Sequence, residues 1–115
     1  MTLKLSIRIF TYAAERTGMR DVLKNQARLF KDLGHPIRLG ILQLLLREGR
    51  QCVSRMLPEL KVPQPTLSRH LATLRGHGYL KEEREGAMVF YRVSDRRIRR
   101  VLSACGPAQG PKRQL

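Results

Sequence analysis

Apolar residues recur at helical spacing along much of the chain, and the breaks between the runs divide it into elements. In "RLFKDLG", Leu29, Phe30 and Leu33 make one helical stripe that stops at Gly34. "HPIRLGILQLLLREG" starts again at Pro36, a residue suited to a first helical turn. Ile37, Ile41, Leu44 and Leu45 then give a wide apolar face, and Gly49 is the stop. "VSRMLPEL" predicts a shorter helix with Ser54 as its cap and Met56, Leu57 and Leu60 turned inward. Pro58 removes a backbone bond and crowds the preceding turn, so that helix should be short or distorted.

"PQPTLSRHLATLRGHG" is the next helix. Leu67, Leu71 and Leu74 fall on one face, Thr66, Arg69 and Thr73 on the other with Ser68 beside them, and Gly76 and Gly78 close it. The period then changes to two. "YLKEEREGAMVFYRVS" predicts a pair of strands joined at Glu85–Gly86–Ala87, with Val89 and Tyr91 alternating against Phe90 and Arg92. "DRRIRRVLSAC" returns to helical spacing, starting near Ser94 or Asp95, with Ile98, Val101 and Leu102 as its apolar stripe and arginines elsewhere.

This order predicts three segments. Residues 1–21 form an N-terminal extension, either an added element or a disordered arm, and Met19 is a second candidate start. Residues 22–105 form one domain, and residues 106–115 a loose basic tail broken by Gly-Pro steps. The predicted fold class is mainly α with a small β-hairpin. Two helices joined tightly, the second polar outside, followed by a hairpin, is the order of a winged helix-turn-helix.

Charge sharpens this. The 115 residues carry 23 Lys plus Arg against 9 Asp plus Glu, a formal charge of +14. A small domain with that excess attracts polyanions, nucleic acid first and an anionic membrane second; the plainer reading is a merely soluble cationic surface. No acidic residue lies between Glu59 and Glu82. A helix entering the major groove must present donors, not carboxylates, to the phosphates along its path. Arg69 can contact guanine with both guanidinium arms, Gln64 can read adenine, and Thr66 and Ser68 can touch base edges or phosphates. With His70, Thr73, Arg75, Lys81 and the wing residues Arg84 and Arg92, these are the predicted DNA contacts. Each alone reads first as a solvated surface residue rather than a DNA contact; as a set, placement and charge agree. His70 also lies near the edge of the leucine face, which suits half-buried packing better than metal ligation, and His35 and His77 read as isolated.

From about Leu29 to Ser94 the chain resembles the arsenic-repressor (ArsR/SmtB) family of bacterial metalloregulators. The most specific piece is "QPTLSRHLATLRGHGYLKEEREG...FYRV", a recognition helix and wing in the right order. The resemblance implies a homodimer of winged five-helix subunits that binds double-stranded operator DNA and releases it when an effector binds. It further implies dimer contacts through Leu29, Phe30, Leu33, Ile98, Val101 and Leu102. The family's arsenic and antimony type places a Cys-Val-Cys motif before the recognition helix. Here the motif reads Cys52-Val53-Ser54, and a hydroxyl is a poor ligand for a soft metalloid. The zinc type uses carboxylates and histidines on the last helix, which here has Asp95 and arginines but no histidine. Pro63 also stands where related sequences carry a capping serine.

Three readings of the cysteines stay open. Cys52 and Cys105 together bind As(III) or Sb(III), within a chain or across the dimer. Alternatively they form a disulfide or polysulfide bridge and sense oxidants or reactive sulfur. Or Cys52 is a small buried hydrophobe and the effector lies elsewhere. No obligatory cofactor is expected. Two cysteines are too few for a disulfide scaffold, which favours a cytoplasmic protein, and no apolar run is long enough to span a bilayer. The alternative class is a winged-helix module binding RNA or protein. An enzyme is disfavoured, since no nucleophile–base pair, paired carboxylates or phosphate-binding glycine loop is present.

Overall fold

The computed structural model describes residues 18–106. The chain divides into two compact units, one ending at Gly34 and one beginning at His35. The expectations for residues 1–17 and 107–115 lie outside the described residues.

In the first unit, α1 spans Met19–Leu33, so it begins inside the segment expected to be an extension and is longer than its Leu29/Phe30/Leu33 stripe suggested. Asp21 in the first turn and Lys31 in the last both suit the helix dipole. The Gly34 N–H closes the helix by donating to the Lys31 carbonyl at 3.2 Å. Leu29 and Leu33 are buried, whereas Met19, Val22, Leu23 and Phe30 are exposed.

The second unit opens with α2, Pro36–Glu48. His35 caps it: its Nδ1 accepts the Ile37 N–H at 3.1 Å. Ile41, Leu42, Leu44 and Leu45 are all buried, so α2 is apolar around much of its circumference and acts as the central helix. It ends at Gly49, whose φ of 82° suits glycine. A two-residue strand β1, Gln51–Cys52, leads into α3, Val53–Leu60. Gly40 on α2 allows a close approach here, since a Cβ at that position would lie 3.1 Å from the Leu60 Cδ2. As Pro58 foreshadowed, α3 is short. Its cap position falls on Cys52 and makes no side-chain bond, and Ser54 lies inside the helix, so the expected Ser54 cap is corrected.

The next helix, α4, spans Gln64–Gly76 and seats Leu67, Leu71 and Leu74 fully in the core. Strands β2 (Leu80–Glu85) and β3 (Met88–Val93) form the predicted hairpin, with Glu85 opposite Met88 and a two-residue Gly86–Ala87 turn. Gly86 has φ +63°, as such a turn demands. The sheet has three antiparallel strands in the order β1-β3-β2, one more than the sequence pattern predicted. The last helix, α5, spans Arg96–Cys105, and the Asp95 carboxylate caps it by accepting the Arg97 N–H at 2.9 Å. Both α4 and α5 pack on α2. Five helices and a three-stranded sheet bearing a hairpin wing, among the described residues, make a winged helix-turn-helix.

Candidate functional site

With its leucines anchored, α4 turns a polar face to solvent. Gln64, Ser68, Arg69 and Arg75 are exposed, while Thr66, His70 and Thr73 are half-buried. No acidic residue occurs on the helix. The face therefore offers donors without a carboxylate to repel phosphate, as a groove-entering helix requires. Two of its residues are engaged in ways the residue pattern did not show. The Thr73 hydroxyl donates to the Arg69 carbonyl at 3.1 Å, which occupies its proton within the helix. His70 faces α2, where its Nδ1 accepts from the Arg38 Nε at 3.2 Å and its ring lies 4.4 Å from that of His35. His35 is thus not isolated, and neither is His77, whose ring meets Tyr79 edge-on at 6.2 Å. Burial, then the neighbouring His35, Arg38 and Arg69, hold the His70 pKa below its ordinary value. Its Nδ1 works as an acceptor tying α4 to α2.

The wing differs. Lys81 and Arg84 are exposed, but Arg92 is half-buried and its Nε donates to Glu83. That pairing, more than the weaker Arg50 contact, lowers the Glu83 pKa. An Arg92 free to meet phosphate is therefore corrected to an Arg92 committed to its own strand pair. Arg50, absent from the predicted contacts, reaches Glu83 at 3.3 Å and Glu85 at 2.9 Å and lies 4.2 Å over the Phe90 ring. The available signal was the i, i+2 spacing of Glu83 and Glu85, which puts two carboxylates on one side of a strand and calls for a cation.

The thiols lie far apart in character. Cys52 is buried and Cys105 exposed, and both are free. The Cys52 Sγ is 3.3 Å from the Ser54 Oγ. That hydrogen bond draws the thiol pKa below its usual value, against the opposing effect of burial. Cys52 also lines a cavity of about 310 Å³ with Ser54, Leu57, Gln64, Ala87 and Met88. Its wall joins α3, the first residue of α4 and the wing tip. As a metalloid site this is incomplete, with a single thiol and one hydroxyl. Among the described residues no three His, Cys, Asp or Glu side chains are grouped to hold a metal ion.

The expected dimer residues also separate. Ile98 and Leu102 are buried within the single chain, on a helix packed on α2, and so offer no free surface; Val101 is half-buried. Phe30 is 63% exposed.

Residues 35–82, which hold α2 to the start of β2, match the family model described as bacterial regulatory protein, arsR family. An uncharacterised HTH-type transcriptional regulator of Methanocaldococcus jannaschii is 43% identical over 66% of this chain and 85% of its own length. The chain belongs to the arsR family of bacterial regulatory proteins. The arsenical resistance operon repressor of Escherichia coli is 45% identical to this family member, over 58% of this chain and 57% of that protein. The crystal structure of the transcriptional repressor PagR of Bacillus anthracis superposes with a TM-score of 0.69 at 30% identity, covering 76% of this chain and 99% of that one. The arsR-family chain is thus a DNA-binding transcriptional repressor and not an enzyme, with operator DNA as its partner. None of its described helices is long and apolar enough to cross a membrane.

Proposed function

We propose that this arsR-family repressor is a cytoplasmic homodimer that reads its operator with α4 and releases it when a thiol-reactive effector engages Cys52. The observation that carries the reading is the position of Cys52. Its thiol lines a cavity whose walls include Gln64, the first residue of α4, and Ala87 and Met88 of the wing. A group bound there changes the packing of both DNA-reading elements at once. A coupling of about 1–3 kcal/mol is enough to alter operator affinity roughly 5- to 150-fold. The lowered thiol pKa favours the thiolate, the form that attacks or ligates.

As(III) or Sb(III) is the first effector class, in keeping with the arsenical repressor among the relatives. It requires a second thiolate, and Cys105, from the same chain or a second copy, is the remaining cysteine. Exposure of Cys105 favours a second reading, in which the two thiols couple on oxidation. Dimerisation is supported by α1, which exposes Met19, Val22, Leu23 and Phe30 at i, i+3, i+4 and i+11, one side of the helix.

Operator binding of the reduced protein with and without arsenite is the test, with Cys52→Ser and Cys105→Ser beside the wild type. Release by arsenite that both variants lose supports the metalloid reading. Release by peroxide or polysulfide alone supports the redox reading. Indifference to all three removes cysteine sensing and leaves the DNA reading intact.

A further inference from the structure

The arginines of α5 stand where helix physics least favours them. Arg96, Arg97, Arg99 and Arg100 fill most of the first five positions of the helix. The N-terminal end of a helix is the positive end of its dipole, where acids stabilise and cations destabilise. One of the four is compensated: Arg97 pairs with Asp95 at 2.7 Å. Arg96, Arg99 and Arg100 are exposed, and at i, i+3 and i+4 they share one side of the helix. No acidic residue follows Asp95 in the sequence, and Lys112 and Arg113 add to the same sign. A sequence that breaks a local rule without local compensation marks a functional surface.

The chemistry of that surface is specific. All four residues are arginine, whose planar fork matches phosphate oxygens in pairs, and none is lysine. Their helix is also distinct from the reading helix, since α4 and α5 each pack on α2. A second copy of the chain is a poor occupant, because it would bring like charges together.

We propose that the Arg96/Arg99/Arg100 face of α5 is a second phosphate-binding surface, which holds duplex DNA backbone outside the base pairs read by α4. The proposal rests on the DNA-reading role of α4.

The test uses the full chain and two duplexes from its own promoter: the protected core, and the core extended by about two helical turns at each end. For the wild type, the slope of log affinity against log salt is expected to be steeper on the extended duplex. An R96Q/R99Q/R100Q variant should lose up to roughly 2–3 of that slope, at about 0.9 per phosphate contact, and keep its binding to the core. The matching triple lysine variant should retain most of the slope. The glutamine variant should melt no lower than the wild type, since it removes cations from a helix N-terminus, so that lost binding is not lost folding. Equal slopes on both duplexes for the wild type overturn the proposal, as does a variant that weakens both duplexes alike. Either result would leave an acidic protein as the occupant to seek. If the wild type does not prefer its promoter to random DNA, the role of α4 fails. The same length comparison on random duplexes then still decides α5.

Discussion

The recognition helix and the wing are both rich in cations, yet they use them differently. On α4, Arg69 and Arg75 stand exposed on a helix without a carboxylate. In the hairpin, Lys81, Arg84 and Arg92 are matched by Glu82, Glu83 and Glu85, so the strands sum to zero. Arg50 and Arg92 close on Glu83, and Arg50 on Glu85. Arg92, with Arg50 from outside the hairpin, thus ties down the wing's carboxylates while Lys81 and Arg84 stand exposed, whereas the arginines of α4 share their helix with no carboxylate. Counting basic residues does not distinguish these cases; the partner of each residue does.

The largest expected effect lies on α4. Arg69→Ala should cost about 1–3 kcal/mol in operator affinity and relax base preference at one position. Competition titrations with single-base operator variants measure both, and an unchanged affinity would place base reading on another element. A smaller effect should come from Glu83→Gln. It releases Arg92 and one contact of Arg50, so binding to all sequences should strengthen and the salt slope steepen by about 1. Unchanged salt dependence would mean that the wing never nears phosphate. Smaller still, Arg92→Ala should change affinity by less than about 1 kcal/mol, as expected for a half-buried surface pair already satisfied within the protein. A loss as large as that of Arg69→Ala would reverse the comparison.

Much of this was legible in the sequence. The Leu67/Leu71/Leu74 spacing located α4 and its outward face, and the change of period at Tyr79–Leu80 located the wing. Strand β1 was not legible, because two residues have no period; it exists through its pairing with β3. Ser54 suggested a cap because a hydroxyl near a helix start usually is one, but the chain turns two residues earlier, and the hydroxyl meets Cys52 instead. Ile98 and Leu102 show why an amphipathic stripe is ambiguous. It states that a face is buried without stating by what, and here a single chain already buries both. The His35–His70 contact joins residues 35 apart in sequence, a relation that no local pattern encodes.

The smallest effect isolates the join between α4 and α2. His70 has a folded pKa depressed below its usual value of about 6.5, chiefly by burial. Between the folded and unfolded values the unfolded chain binds more protons, so stability there rises with pH. Its contribution is complete above about pH 6.5 and is lost as pH falls toward the folded value, where a second cation would meet Arg38 and His35. Glu83 and Asp95 act in a lower window, because their folded values are also depressed, from a range near 4. Melting temperature should therefore fall in two stages on acidification. His70→Gln preserves an acceptor for Arg38 without a titrating ring, and should remove the first stage while leaving the second. If calorimetry shows both stages unchanged in the variant, another group governs the upper window, and the α4–α2 contact does not respond to acid.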